Sequence, residues 1–162
     1  MQSRKILGIN PGARLLGYAF FQSSELRDWG IKAILGEWTG ERKKKIGRIY
    51  QGFLDKFEPD CVAIKKLHPA RSSPELKEQV SEFKQTCRTR QIPVYEYPIE
   101  YLEKTLLAEK PNKEKLTESV FEQYPILFSE MEKERSNKNS YYTRMFEAVA
   151  LAHVCFNQTD NH

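Results

Sequence analysis

Glu147 is the only acidic side chain among residues 141–157 of this 162-residue chain. A carboxylate at this position could bind a hard cation such as Mg²⁺ or act as a general base. Arg144 lies three residues earlier, and residues three apart share one face of a helix, where they can form an ion pair. An ion pair would occupy the oxygens that a metal ion needs, so the two chemistries compete for a single carboxylate.

Three further acids and two histidines are also candidates for metal binding. Asp28, Asp60 and Glu96 lie at strand ends or within strands, and we interpret them as turn, helix-terminating and solvent-facing residues. His68 lies in a predicted loop just before a proline, and His153 lies in a predicted core helix. A hydrogen-bonded structural role is the commoner one for a histidine in a core helix. The sequence therefore predicts no metal site.

Basic side chains are concentrated in the first part of the chain. Residues 1–90 contain 18 Lys and Arg against 10 Asp and Glu, whereas residues 91–162 contain 8 against 12. Such an excess favours a polyanionic partner such as nucleic acid, although a lysine-rich solvated surface gives the same excess. The run from Arg42 to Lys45 is interpreted as the solvated face of a helix.

Length and composition exclude several classes of protein. The chain is 40% hydrophobic and 30% charged, which suits one folded domain over residues 1–162. No apolar run approaches the ~18–20 residues of a membrane span, and the N-terminus does not resemble a signal peptide. Cys61, Cys87 and Cys155 lie far apart, which indicates buried thiols rather than a disulfide framework. We therefore expect a cytoplasmic protein with no membrane partner.

The predicted elements describe a mixed sheet with helices on its faces. Apolar runs at 5–10, 15–21 and 29–35, separated by turn residues, predict an antiparallel meander. A helix with one apolar stripe from Ile46 to Phe57 follows. The remaining predictions are strands at 61–64 and 93–97, helices at 74–90, 98–108, 112–124 and 141–157, and an exposed charged loop at 129–140.

Five segments of the chain resemble, in order, the sequences of RuvC-type Holliday-junction resolvases. They are Ile6–Arg14 with Gly17 and Tyr18, Phe57–Lys66, Ile92–Tyr97, Asn112–Leu116 and Glu147–His153. The second is similar to the family's F-x-P-D-x-x-A-I-E-x segment and the last to its D-A-x-A-x-A helix. The resemblance spans essentially the whole chain. It implies an α/β, RNase H-like fold with a five-stranded mixed sheet, whose first three strands are antiparallel, flanked by helices.

The resemblance also implies where a catalytic site would lie. Family members cut phosphodiesters with two divalent metals held by four carboxylates, and the matching positions here are Asn10, Lys65, Arg144 and Glu147. Lys and Arg offer no oxygen ligand. A divalent ion about 5 Å from one such cation meets roughly 6–7 kcal/mol of repulsion at an effective dielectric of about 20. We therefore predict no catalytic residue, metal or cofactor, and expect Asn10 and Lys65 at neighbouring strand ends facing Glu147.

Binding is the function that these replacements favour. Lys and Arg contacts to phosphates supply most sequence-independent affinity for nucleic acids. The predicted nucleic-acid contacts are Arg14, Lys65, Lys66, Arg71, Lys110, Lys113, Lys115 and Arg144. The expected protein is a RuvC-like pseudoenzyme that binds branched or structured DNA, including four-way junctions, in DNA recombination or repair.

Two other functions remain open from the sequence. One is an enzyme, either a RuvC-like endodeoxyribonuclease with a rebuilt, non-standard site that binds Mg²⁺ or a hydrolase that uses only Glu147 as a base. The other is a protein-interaction module that kept only the fold and a homodimer surface, which the resemblance places on the helix from Pro74 to Arg90. Metal-dependent cutting would support the first alternative, and a stable dimer without nucleic-acid binding would support the second.

Overall fold

A five-stranded mixed sheet forms the centre of the computed structural model, which describes residues 4–34, 36–37, 39–107, 113–136 and 141–159, without the side chains of residues 113 and 114. Its strands are β1 (Lys5–Asn10), β2 (Leu15–Gln22), β3 (Glu25–Ala33), β4 (Cys61–Lys65) and β5 (Val94–Tyr97). Their order is β3-β2-β1-β4-β5. The first three strands are antiparallel, and β4 and β5 run parallel to β1. The predicted fold class is confirmed, although β3 begins four residues earlier than predicted.

Six α-helices surround the sheet in the described parts of the chain. They are α1 (Gly40–Phe57), α2 (Pro74–Thr89), α3 (Ile99–Leu106), α4 (Lys113–Gln123), α5 (Phe128–Ser136) and α6 (Thr143–Thr159), with a short 3-10 turn at Pro125–Leu127. Thr39 and Ser73 cap α1 and α2 through their hydroxyl oxygens, which accept backbone N–H groups at 3.2 Å. None of the helices in these ranges is long and apolar enough to cross a membrane.

The predicted exposed loop at 129–140 is wrong for the part that the structure describes. Residues 129–136 belong to α5, and the side chain of Met131 on this helix is buried in the core. The Trp29 indole nitrogen donates to Glu130 at 3.0 Å, so a partner on β3 helps to hold this charged helix. Residues 137–140 lie outside the described ranges.

The two faces of the sheet carry different helices because side chains alternate along each strand. Leu7 and Ile9 of β1 pack in a cluster with α1 and α2. Ile6 of β1 and Ala63 of β4 pack on the opposite face with α6. The apolar stripe of α2 is buried in its own domain, and its remaining surface is mainly polar. No apolar stripe of α2 is therefore left over for the predicted homodimer, which stays a prediction.

Two glycines allow α6 to lie unusually close to the sheet. A Cβ atom added to Gly8 of β1 would lie 2.3 Å from the carbonyl oxygen of Ala148, and one added to Gly17 of β2 would lie 2.3 Å from that of Arg144. Both obstacles are backbone atoms of α6, which cannot rotate away. This close approach brings the first turns of α6 to the ends of β1 and β2.

Gly8→Ala is expected to lower the free energy of unfolding by about 1–3 kcal/mol, because the added methyl group must push α6 off the sheet. Gly52→Ala is the matched control, since nothing lies within 4 Å of a Cβ added at this exposed position of α1. The control should raise stability by about 1 kcal/mol through helix propensity. Urea unfolding of the two variants checks the prediction, and equal stability would show that α6 does not lie against Gly8.

Candidate nucleic-acid interface

Asn10 and Lys65 lie side by side at the carboxyl ends of two neighbouring strands. Asn10 is the last residue of β1 and Lys65 the last residue of β4. The two strands are parallel and the preceding residues, Ile9 and Ile64, are register partners. Glu147, in the first turns of α6, reaches both side chains. We call Asn10, Lys65, Arg144 and Glu147 together the strand-end site.

The side-chain amide of Asn10 is fully buried and donates both of its hydrogens to α6. Its Nδ2 lies 2.5 Å from Oε2 of Glu147 and 3.3 Å from the carbonyl oxygen of Arg144. Glu147 is only 4% exposed. The Oδ1 atom of Asn10 is buried without a hydrogen-bond partner. The amide therefore ties β1 to α6 and leaves one unused acceptor at the site.

Lys65 neutralises the carboxylate that Asn10 binds. Its Nζ lies 3.5 Å from Oε2 of Glu147, and its side chain is 22% exposed. The same carboxylate oxygen thus receives the lysine charge and the amide hydrogen of Asn10. Of the two ion pairs open to Glu147 from the sequence, with Lys65 or with Arg144, the structure forms the one with Lys65.

Arg144 turns away from Glu147 toward the loop that follows β1. Its Nη1 lies 3.5 Å from the carbonyl oxygen of Pro11. A Cβ atom at Gly12 would lie 2.5 Å from this nitrogen, so the absence of a side chain at Gly12 makes room for the guanidinium. Arg144 is half-buried, and it has no carboxylate partner in the described residues. The site therefore contains one neutralised carboxylate and one uncompensated cation.

The other predicted contact residues are spread over several segments. Arg14 is exposed after the turn that follows β1, and Lys66 and Arg71 are exposed after β4. Lys115 is exposed in the first turn of α4. Lys110 lies outside the described residues, as does the side chain of Lys113. The structure brings Lys65 and Arg144 to the same end of α6, with Arg14 and Lys66 on the adjoining loops, whereas Lys115 belongs to a different helix.

The two histidines have partners within the protein. His153 Nδ1 lies 2.6 Å from the Tyr124 hydroxyl and its Nε2 lies 3.1 Å from Nδ2 of Asn157. This confirms the interpretation of His153 as a hydrogen-bonded structural residue. The exposed His68 accepts the N–H of Ala70 at 3.2 Å. In the described ranges, no three His, Cys, Asp or Glu side chains form a group that could hold a metal ion.

The predicted roles of Asp60 and Glu96 agree with their contacts, whereas the turn role predicted for Asp28 is wrong, because Asp28 lies within β3 and pairs with Phe20 of β2. Asp28 accepts the N–H of Trp29 at 2.8 Å and pairs with Lys56 at 3.3 Å. Asp60 accepts the N–H of Lys5 at 2.8 Å, and Glu96 pairs with Lys84 at 2.6 Å. None of these carboxylates lies at the strand-end site.

His153 makes the stability of the fold depend on pH. Burial lowers its pKa below the ordinary value of 6.5. The unfolded chain therefore takes up the proton at higher pH than the folded protein, and the free energy of unfolding falls as the pH drops below about 6.5. The contribution of one histidine is at most about 1.4 kcal/mol per pH unit.

Thermal or urea unfolding between pH 7 and pH 5 tests this contribution. His153→Gln should flatten the pH dependence, because glutamine does not gain a proton in this range. His68→Gln is the matched control, because it makes the same substitution at an exposed position. Identical pH dependence in wild type and His153→Gln would contradict the prediction.

The prediction of a solvated face is wrong for Arg42, the first residue of the basic run. Arg42 is only 8% exposed. Its Nη2 donates to the carbonyl oxygens of Ala13 and Ile34, the latter at 3.4 Å. Lys43 is partly covered and pairs with Glu82 at 3.3 Å and with Glu78. The guanidinium of Arg42 therefore stabilises the loop between β1 and β2 through carbonyl groups that are distant in the sequence.

No protein-family model matches the chain, and no curated protein matches its sequence. Solved structures do match it. Thermus thermophilus RuvC in complex with Holliday junction substrate superposes with a TM-score of 0.71 at 20% identity, over 96% of this chain and 94% of that chain. The yeast mitochondrial Holliday junction resolvase superposes with a TM-score of 0.64 at 12% identity, over 99% of this chain and 85% of that chain. The chain has the RuvC-like, RNase H-like fold that the five segments imply.

The side chains of the strand-end site do not fit the pair of divalent ions that this fold implies. Mg²⁺ binds through carboxylate and other oxygen ligands. Glu147 supplies the only carboxylate among the four positions, and its Oε2 is held by Lys65 and Asn10. The one unused oxygen beside it, Oδ1 of Asn10, is neutral. A metal ion here would have to displace an ammonium group and approach a guanidinium.

Proposed function

We propose that this protein is a divergent relative of the RuvC-type resolvases that binds branched DNA at the strand-end site and does not cut it. The observation that carries the proposal is the contact of Lys65 with the single carboxylate of the site, at 3.5 Å. This contact uses the group that metal-dependent hydrolysis needs. Binding of DNA is supported by the shared fold with resolvases, one of which was solved with a Holliday junction.

Phosphate groups are the ligands that the remaining charges favour. The guanidinium of Arg144 has five N–H donors, and one of them points to the carbonyl oxygen of Pro11. The ammonium group of Lys65 has three N–H donors. It contacts Glu147, and the Lys65 side chain is still partly exposed to solvent. Arg14 and Lys66 add exposed positive charges on the loops that follow β1 and β4. A phosphate can therefore be held without removing Lys65 from Glu147.

Loss of cutting follows from the charge at the site. Two-metal catalysis requires cations that activate water and stabilise the leaving oxygen. The ammonium of Lys65 can neutralise a phosphate, but it cannot bind and activate a water molecule as a divalent metal ion would. Glu147 is also a weak candidate for a general base, because both its neighbours donate hydrogens or positive charge to the same oxygen.

A gel-shift competition in the presence of a metal chelator tests the binding proposal. The DNA probes are an immobile four-way junction, a duplex with the sequence of two of its arms, and the corresponding single strand. We expect the junction to bind most tightly, with affinity that falls steeply as salt increases. Absence of binding to all three probes would overturn the proposal and leave the interaction-module alternative. Equal affinity for junction and duplex would overturn the preference for branched DNA.

A further inference from the structure

A basic pocket opens at the start of α1. Its volume is about 440 Å³. Four cationic residues line it, Arg42, Lys44, Lys45 and Arg48, together with two acids, Glu37 and Glu41. We call this feature the α1 pocket. Its lining has two more positive than negative side chains.

Three cations of the α1 pocket are available to a ligand. Lys44, Lys45 and Arg48 are exposed, and none of them forms an ion pair within the described part of the chain. Their neighbour Lys43 shows the contrast, because it pairs with Glu78 and Glu82 of α2. Lys44 and Arg48 are four residues apart, so they lie on one face of α1 with a rise of about 6 Å between them.

The α1 pocket and the strand-end site lie on opposite sides of one short loop. Arg42, which lines the pocket, donates to the carbonyl oxygen of Ala13. Arg144, which belongs to the strand-end site, lies 3.5 Å from the carbonyl oxygen of Pro11. Residues two apart are at most about 7 Å apart along the chain. The pocket and the strand-end site therefore adjoin the same loop. The pocket lies on the α1 face of the sheet and the strand-end site on the α6 face.

We infer that the α1 pocket is a second phosphate-binding surface, which contacts a different arm of the same branched DNA that occupies the strand-end site. This inference rests on the proposed function. A straight duplex that lies against one face of a sheet does not bend around to the opposite face, so two basic surfaces on opposite faces favour contact with two separate arms. A branched molecule has arms that leave the branch point in different directions, and it can reach both surfaces.

The nature of the cations favours a DNA backbone over a small anion. Lys44, Lys45 and Arg48 follow the helix face and stand open to solvent, so they match a row of phosphates rather than one enclosed group. The positive end of the α1 dipole lies at the same place and adds to the attraction. Exposed lysines act on phosphates as point charges, which is how sequence-independent contacts to DNA are made.

The test compares two double variants with an equal change of charge. Lys44→Glu with Lys45→Glu alters the α1 pocket. Arg27→Glu with Lys56→Glu is the control, and it alters two exposed cations, one on β3 and one in the last turn of α1. Dissociation constants are measured for the four-way junction and for the linear duplex over a range of salt, with circular dichroism and thermal unfolding to check folding.

We expect the pocket variant to lose at least tenfold in affinity for the junction and less than threefold for the duplex. Its salt dependence on the junction should weaken by about two phosphate contacts, which is a change of about 1.8 in the logarithmic slope. The control should change both affinities equally and by little. Equal losses for junction and duplex in the pocket variant would overturn the second-arm assignment.

The outcomes also separate this inference from the proposed function. If wild-type protein binds the junction and the pocket variant binds it equally well, the inference is wrong and the proposed function stands. If wild-type protein binds neither probe, both are wrong. If the pocket variant loses its fold, Lys44→Gln with Lys45→Gln removes the same positive charges without adding negative ones, and the same comparison decides the question.

Discussion

Lys65→Gln combined with Arg144→Gln should lower the affinity for a four-way junction by at least about tenfold. Each charged hydrogen bond to a phosphate contributes about 1.5–3 kcal/mol, and 1.4 kcal/mol corresponds to a factor of ten. Removal of two phosphate contacts should also reduce the slope of log K against log salt by about 1.8. Both effects are measured in one titration series by fluorescence anisotropy.

The control for this variant removes two cations that lie away from the strand-end site. Arg88 of α2 and Lys104 of α3 are exposed, so Arg88→Gln combined with Lys104→Gln gives the same loss of charge. The control should change the slope by much less, because salt screens the interaction between DNA and charges that lie far from it. An unchanged slope in the Lys65 and Arg144 variant would place the DNA elsewhere on the protein.

Glu147→Ala should lower the free energy of unfolding by about 3 kcal/mol. Loss of one member of a buried ion pair typically costs about 3–5 kcal/mol, and the partial exposure of Lys65 favours the lower end of this range. The buried amide of Asn10 loses an acceptor at the same time. For a protein of this size, the melting temperature should fall by roughly 6–12 °C.

The sign of this effect distinguishes a structural carboxylate from a metal ligand. Carboxylates clustered to hold a metal repel one another in its absence, so removal of one of them would tend to stabilise the apoprotein. Glu147 instead faces a lysine and an amide donor, and its removal should destabilise the protein. A higher melting temperature for Glu147→Ala would contradict a stabilising role for the contacts of Glu147 with Lys65 and Asn10.

A double variant tests whether the pair acts as a unit. Glu147→Gln keeps an acceptor for Asn10 and removes the negative charge, which leaves Lys65 without its partner. Lys65→Met added to this variant replaces the remaining charge by a side chain of similar length. Because replacement of both partners of a buried pair is often neutral, the double variant should recover most of the stability lost in Glu147→Gln.

The fold was predictable from the sequence because its signals are local. Turn residues ended the strands, one apolar stripe marked α1, and the apolar residues of α6 marked it as a core helix. The charged helix α5 carries almost no apolar signal of its own. Hydrogen bonds from other segments hold this helix in place: the Trp29 indole donates to Glu130, and the N–H of Tyr142 donates to Glu134 at 2.9 Å. Both donors lie outside α5, so the sequence of the helix alone does not indicate them.

The family resemblance predicted which residues form the strand-end site, but only some of the contacts between them. The parallel register of β1 and β4 places Asn10 beside Lys65, as the resemblance to the resolvase family implied. Glu147 pairs with Lys65 rather than Arg144, whose guanidinium is directed to the carbonyl oxygen of Pro11 in the space left by Gly12, a contact that no local sequence pattern indicates. The burial of Arg42 depends likewise on two distant carbonyl groups, and a run of basic residues gives no indication of it.

Incubation of wild-type protein with an end-labelled four-way junction, in Mn²⁺, in Mg²⁺ and in chelator, tests the central claim most directly. Each reaction is divided between a native gel, which reports binding, and a denaturing gel, which reports cutting. We predict a fully shifted junction under all three conditions and intact strands on the denaturing gel. Discrete cuts near the branch point that require metal and disappear in Glu147→Gln would contradict the account, as would a junction that is not shifted at all.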